Sequence, residues 1–191
     1  MLSKEEVLDI FRKSNALLEG HFRLTSGRHS NRYMQCAQVL QYPDYTAQLC
    51  GEIVEAFRAE KVDVVIGPAM GGIIVAYEVG RQLGVRTIFT ERENGAMTLR
   101  RSFTISPGEK VLVVEDVVTT GGSVLEVINV VKEKGGELAG VGVLVDRSNG
   151  RVDFGVPAKA VLPMEVVSWE AGDCPLCQEG VPVVKPGSRQ S

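Results

Sequence analysis

Two adjacent acids, Glu115-Asp116, follow four apolar residues, Val111-Leu-Val-Val114, and lead into Val117-Val-Thr-Thr-Gly-Gly-Ser123. The apolar run reads as a buried strand, and the Gly-Gly-Ser end opens a helical pattern. Open parallel sheets bind ligands at the carboxyl ends of their strands, which is where the two acids stand. Small residues let backbone N–H groups close on an anion. The helix start adds partial positive charge, and the hydroxyls of Thr119, Thr120 and Ser123 add donors. Paired carboxylates beside such a cradle accept hydrogen bonds from vicinal hydroxyls or approach a bound metal; a sugar phosphate carries both kinds of group. No Lys follows the glycines as a Walker A loop requires, and GxGxxG is absent.

Other segments offer complementary chemistry. Gly67-Pro-Ala-Met-Gly-Gly72 lies between a β-branched run and an amphipathic pattern, so it again places N–H groups at a helix start. Leu24-Thr-Ser-Gly-Arg-His-Ser-Asn-Arg-Tyr33 sets hydroxyls, backbone N–H groups and cations beside a flat side chain, a set that suits a planar ring bearing a carboxylate; an ordinary turn with surface charges has the same composition. Asp146-Arg147 ends a strand pattern, where the Arg either closes the strand with a local ion pair or offers its fork to a planar acceptor. Between Thr90 and Phe103 the cations are Arg92, Arg100 and Arg101, with no Lys or His; a hairpin with solvated charges is the plainer reading of that stretch.

These segments sit on alternating strands and helices. Ser3 and Glu6 have capping-box spacing ahead of a helix that the periodicity carries to Gly20. Pro43 suits the first turn of a helix running to about Ala59. Strands are predicted at Val62–Ile66, Val85–Phe89, Val111–Val114, Leu138–Val145 and Ala160–Val167, with helices between them ending near Leu83 and Lys134. That alternation implies βαβ units and a mainly parallel sheet covered on both faces. The 191 residues, 44% hydrophobic and 24% charged, suffice for one sizeable core and show no dividing linker. A formal net charge of −3 argues against bulk attraction to nucleic acid or acidic membrane. No apolar run approaches the roughly 20 residues that span a bilayer. The charged N-terminus is unlike a signal peptide, so the expected compartment is the cytoplasm. Of four cysteines, Cys36 and Cys50 read as buried thiols. Cys174-Pro-Leu-Cys177 could be half of a zinc site, but with only His21 and His29 elsewhere and no second CxxC it reads as a structural turn with reduced thiols. The end from Lys185 to Ser191 reads as a mobile tail.

The segment Val111–Ser123 resembles the phosphoribosyl pyrophosphate (PRPP) signature of type I phosphoribosyltransferases. The resemblance implies that Glu115 and Asp116 engage the ribose hydroxyls. Val117 and Val118 would belong to the PRPP site, Thr119, Thr120, Gly121, Gly122 and Ser123 would hold the 5′-phosphate, and the backbone at Ala69, Met70, Gly71 and Gly72 would meet the diphosphate. Thr25–Tyr33 resembles the N-terminal hood of orotate phosphoribosyltransferases, which implies an orotate site from Thr25, Ser26, Gly27, Tyr33, Arg147 and Thr119. Thr25 stands where many relatives carry Lys, leaving a hood cation to Arg23 or Arg28. Thr90–Phe103 takes the place of that group's mobile catalytic loop, shorter here, with Arg92 on the diphosphate, in cis or across a dimer. The fold implied is a single phosphoribosyltransferase unit over 1–191, with a hood of about 1–40 plus C-terminal residues and a core of about 41–168. The implied cofactor is Mg²⁺, carried mainly by PRPP, and the implied assembly is a homodimer. A purine phosphoribosyltransferase, or a PRPP-sensing regulator without turnover, would share the same PRPP segment.

Overall fold

The computed structural model describes residues 1–24 and 26–186. Helix α1 (Lys4–Lys13) starts on the expected capping box, with Ser3 and Glu6 exchanging hydrogen bonds. It stops at Lys13, not Gly20. Ser14 Oγ donates back to the Ile10 carbonyl at 2.8 Å, Asn15 turns left-handed at φ 55°, and the Ala16 N–H bonds Phe11 O at 2.9 Å. Asn is among the few side chains that tolerate this conformation, so the helix ends there. Ala16, which continues the apolar period, instead lies in the bend after the helix, and Leu17 begins a strand.

Strands β1 (Leu17–Arg23) and β2 (His29–Met34) form an antiparallel hairpin, irregular between Glu19 and Phe22. A short helix α2 (Ala37–Leu40) precedes α3 (Pro43–Phe57), which has Pro at its first turn. Then come β3 (Val64–Pro68), α4 (Gly71–Leu83), β4 (Arg86–Glu93), β5 (Ala96–Leu99), β6 (Lys110–Val118), α5 (Gly122–Glu133), β7 (Glu137–Asp146) and β8 (Ala158–Pro163). A 3₁₀ turn and the short helix α6 (Pro175–Gln178) complete the described elements. Several strands sit one or more residues from the predicted spans. Val62, for instance, is used in a turn by its N–H to Glu60 O at 2.9 Å, so β3 starts at Val64.

The main sheet has the order β5-β4-β3-β6-β7-β8, and all its pairs are parallel except β4–β5. Its continuous apolar strands are explained by burial on both faces. Leu112 and Val114 face the cluster that includes Leu49 and Ile53 of α3 and Val75 and Val79 of α4. Val111 and Val113 face Val124, Val127 and Val131 of α5. Each such side chain contributes about 1.5–3 kcal/mol of burial, which fixes β6 rigidly enough to aim the acids at its end. Connections from β3 and β6 run to opposite sides of the sheet, so a crevice opens between their carboxyl ends. The hairpin packs on this frame through Leu17 and Met34, which share a cluster with Phe11, Leu144 and Leu162.

Candidate active site

Strand β6 runs on past its apolar half, so Glu115 and Asp116 are held by the sheet ladder, Glu115 opposite Val143. Glu115 is 8% exposed. Its Oε1 accepts the Asp116 N–H at 3.0 Å, and Asp116 Oδ1 accepts the Val117 N–H at 2.8 Å. Burial, then the neighbouring Asp116 charge and hydrogen bond, push the Glu115 carboxyl up to about 9. Burial also raises Asp116, against its hydrogen bonds from Glu115 and the backbone. Such a pair gains from any ligand that brings hydroxyl donors or a cation.

The neighbouring loop is carved to fit these acids. A Cβ at Gly71 would collide with the Asp116 carboxylate, and one at Gly72 would come within 3.1 Å of Glu115 Oε1 and 2.8 Å of Pro68 Cδ. Glycine at both positions lets the start of α4 close over the pair, with the Ala69 N–H anchored to Thr90 O at 2.9 Å. On the other side, Glu115 and residues Val117–Val124 line a cavity of about 60 Å³. Helix α5 begins there, its N-cap Gly121 at φ 79° and without a side-chain cap. The first-turn N–H groups of a helix have no intrahelical acceptor, so this small cavity suits one tetrahedral anion. Gly121 must be glycine: its φ is left-handed and a Cβ would run into Val152. Left-handed backbone costs a side chain about 1–2 kcal/mol. Gly121→Ala is therefore expected to weaken binding of a phosphorylated ligand by roughly tenfold or more, read by calorimetric titration. An unchanged value would remove this loop from phosphate binding.

Arg147 comes directly after β7, with its N–H on Val118 O at 2.8 Å. Its Nε is buried without a hydrogen-bond partner among the described residues. Burial lowers its guanidinium from the usual value, opposed by the nearby Tyr33 and Cys36 groups. The crevice thus gathers Glu115, Asp116, the Ala69–Gly72 loop and the Val117–Ser123 loop, with Arg147 and Tyr33 at its hairpin side. Ser26 and Gly27 occupy the hairpin turn, Gly27 at φ 85°. Arg28, a candidate hood cation, is turned to Ser168 and Glu170 of the C-terminal segment. Thr25 lies outside the described residues.

The stretch of cations is a β4–β5 hairpin, and all three arginines have partners: Arg101 with Glu91, Arg100 with Glu93, and Arg92 in a two-pronged pair with Glu126 at 2.8 and 3.0 Å. The Arg92–Glu126 pair is exposed, and such pairs contribute about 0–1 kcal/mol, so exchange for a stronger anion costs little. Sequence reasoning missed Glu126 and also Cys36, whose Sγ–H donates to Asp116 O at 3.3 Å. Burial, then the Asp116 and Glu115 charges, raises that thiol, so it stays protonated. A lone Cys in an apolar pattern carries no signal of such a role.

The raised Glu115 makes the ligand-free protein sensitive to pH. A carboxyl at about 9 when folded, against an ordinary 4.5, contributes stability in full below 4.5 that is lost as pH rises toward 9. Melting temperature is expected to fall over that interval and Glu115→Gln to flatten the fall; a rise for the wild type would contradict the assigned direction.

Paired acids near the end of a strand, beside a glycine-tight loop and a helix-start anion cradle, suit a ligand that carries vicinal hydroxyls and a phosphate. The family model described as "Phosphoribosyl transferase domain" matches residues 38–173. Orotate phosphoribosyltransferase of Desulforamulus reducens is 65% identical over 189 residues, covering 99% of both chains. The Heliobacterium modesticaldum enzyme of that name is 67% identical over 190 residues, covering 98% of this chain and 100% of its own. Among solved structures, orotate phosphoribosyltransferase from Aeropyrum pernix superposes with a TM-score of 0.68 at 27% identity, covering 82% of this chain and 92% of that one. Adenine phosphoribosyltransferase from Rhodothermus marinus, at 18% identity and TM-score 0.66 over 83% of this chain and 98% of its own, shares the fold. The chain belongs to the phosphoribosyl transferase family and, within it, to the orotate phosphoribosyltransferases.

Proposed function

We propose that this chain transfers ribose 5-phosphate from PRPP to orotate, giving orotidine 5′-phosphate and pyrophosphate in de novo pyrimidine (UMP) biosynthesis. The observation that carries the reading is the pair of buried Glu115 and half-buried Asp116, set between the α5 cradle and the Gly71-Gly72 loop. The cradle takes the 5′-phosphate through the Val117–Ser123 backbone and hydroxyls. The two acids take the ribose hydroxyls, and the Ala69–Gly72 amides take the diphosphate. As the bond from the anomeric carbon to the diphosphate oxygen lengthens, positive charge develops on the ribose. The acids favour that charge, while the loop amides and Arg92, exchanged from Glu126, stabilise the departing diphosphate. The orotate ring-nitrogen anion supplies the electron pair for the new bond, so no general base and no covalent enzyme intermediate is required.

Arg147 has the chemistry to pair with the orotate carboxylate or a ring oxygen, with Thr119, Ser26, Gly27 and Tyr33 around the ring; its buried, unpartnered Nε supports that role. The adjacent Glu115 and Asp116 carboxyls fit a nearby Mg²⁺, because two neighbouring acids gain from a cation; Mg²⁺ would be carried mainly by PRPP oxygens and would supply neutralisation of the diphosphate charge. Residues 1–191 act as one unit, a hood of about 1–40 with C-terminal residues over a core of about 41–168. The working form is a homodimer. Met70, Ile74 and Tyr77 support this: they are 82%, 45% and 66% exposed, at spacings that form one apolar face at the start of α4. A loop contact across that dimer would bring Arg92 to the neighbouring site. No helix among the described residues is long and apolar enough to cross a membrane, and the four free thiols suit the reducing cytoplasm.

The test is pyrophosphate release from PRPP by the pure protein with orotate, with and without Mg²⁺. Release is expected only when orotate and Mg²⁺ are both present. No release under any condition would overturn the enzyme reading in favour of a PRPP-sensing regulator.

A further inference from the structure

The hairpin and the C-terminal segment bring together four side chains that the reaction does not use. His21 on β1, His29 on β2, and Cys174 and Cys177 bracketing the start of α6 place one ligand-capable atom each within 4.8 Å of one another. His21 Nε2 lies 2.9 Å from His29 Nδ1, 3.4 Å from Cys174 Sγ and 3.7 Å from Cys177 Sγ, and Cys177 Sγ is 3.2 Å from His29 Nδ1. In a tetrahedral zinc site, with Zn–N of about 2.0–2.1 Å and Zn–S of about 2.3 Å, neighbouring ligand atoms stand about 3.3–3.8 Å apart. The cluster is already close to that size. Cys174 is fully buried, and His21 and His29 are 3% and 7% exposed.

The tautomer of His21 supplies a second, independent observation. Its Nδ1 lies 2.7 Å from Val181 O, an atom that only accepts, so Nδ1 carries the hydrogen and donates it. In the neutral ring Nε2 then carries a lone pair, aimed at His29 and the two thiols. A backbone carbonyl holding the distal ring N–H is the usual arrangement behind a metal-ligating histidine. Two thiolates also neutralise a divalent cation, so the bound group can be buried without net charge.

We propose that His21, His29, Cys174 and Cys177 form a structural Zn²⁺ site. Soft thiolates with imidazoles at tetrahedral spacing select zinc over Mg²⁺ or Ca²⁺, which take oxygen ligands. Binding displaces the two thiol protons to solvent and forms two Zn–S and two Zn–N bonds, with no change of oxidation state. The site clips the chain's C-terminal segment onto a two-stranded hairpin, an element marginally stable by itself. The protein contacts on that junction include the His29–Trp169 and Phe22–Val184 bridges, the Ser30 and His21 hydrogen bonds to the carbonyls of Val167 and Val181, and the Arg28 contacts to Ser168 and Glu170, all of them non-covalent. The metal adds a covalent-strength link and holds the turn that carries Ser26 and Gly27. The plainer reading of CxxC as a turn with reduced thiols gives way because the fold brings to it the sequence's two histidines.

Full-length protein purified without chelator is measured for metal by mass spectrometry, and the apo form is titrated with Co²⁺. One zinc per chain is expected, with the intense visible bands of tetrahedral thiolate-bound Co²⁺ abolished by added Zn²⁺. Chelation should lower the melting temperature by several degrees, reversibly. The Cys177→Ser variant should bind zinc more weakly, and His29→Ala serves as the second variant if it fails to fold. No zinc with no cobalt spectrum, a Cys174–Cys177 disulfide in the isolated protein, or wild-type zinc content in both variants would overturn the proposal. None of these readouts depends on turnover, so they stand or fall separately from the transferase reading.

Discussion

Asp116→Asn is expected to lower kcat on the order of 10²–10³-fold, the range for removing one preorganised charge-stabilising group, while the melting temperature stays level or rises. The amide is isosteric and its oxygen can still accept the Val117 N–H, so the strand end is preserved. What disappears is a half-buried negative charge beside Glu115, one that partial burial disfavours in the ligand-free state. Stability and activity therefore move in opposite directions, as expected where charge is held for the transition state at a cost to the resting protein. Steady-state kinetics and thermal melting on the same preparation read both effects. Wild-type turnover would remove the acidic pair from the mechanism. Loss of activity together with a lower melting temperature would make Asp116 a structural residue.

Arg147→Met is expected to raise KM for orotate on the order of 10²-fold. Truncating one partner of a buried charge pair costs about 2–5 kcal/mol. The Met side chain keeps most of the stem's packing and removes a cation that burial disfavours. KM for PRPP should move far less, because the donor site proposed above lies in the β6–α5 loop and the Ala69–Gly72 loop. The two Michaelis constants, measured at saturating partner substrate, make the split visible. An equal rise in both would assign Arg147 to the diphosphate or to general folding. Arg147→Lys retains charge without the planar fork, and an intermediate effect is expected from it.

The legibility of this chain in its sequence depends on how local each determinant is. The β6 strand, its acids and the α5 start are contiguous, so strand burial, carboxylate placement and anion cradle are readable from Val111 to Ser123. The capping box at Ser3 and the Pro43 helix start are equally local and hold in the structure. The end of α1 is not legible, because the apolar period runs on through Ala16 and Leu17 while the left-handed turn at Asn15 overrides it. Contacts that close over long sequence separations leave no pattern: Cys36 against Asp116, Glu126 against Arg92, and the glycines of α4 against the acids. The His–Cys cluster is the strongest case. Its histidines and cysteines are separated by more than 140 residues, and only the packing of the C-terminal segment on the hairpin shows that a CxxC and two histidines share one point.

Acceptor choice is the central point, since the PRPP segment is common to the whole class and the orotate reading rests on the orotate phosphoribosyltransferase relatives, with Arg147 and the hairpin as its proposed site. The direct measurement is a single reaction containing PRPP, Mg²⁺ and equal concentrations of orotate, adenine, hypoxanthine and uracil, with nucleotide products separated and identified. Orotidine 5′-phosphate is the expected sole product. A purine nucleotide as the main product would contradict the assignment of the hairpin side of the crevice to orotate, while leaving the ribose and phosphate sites in place.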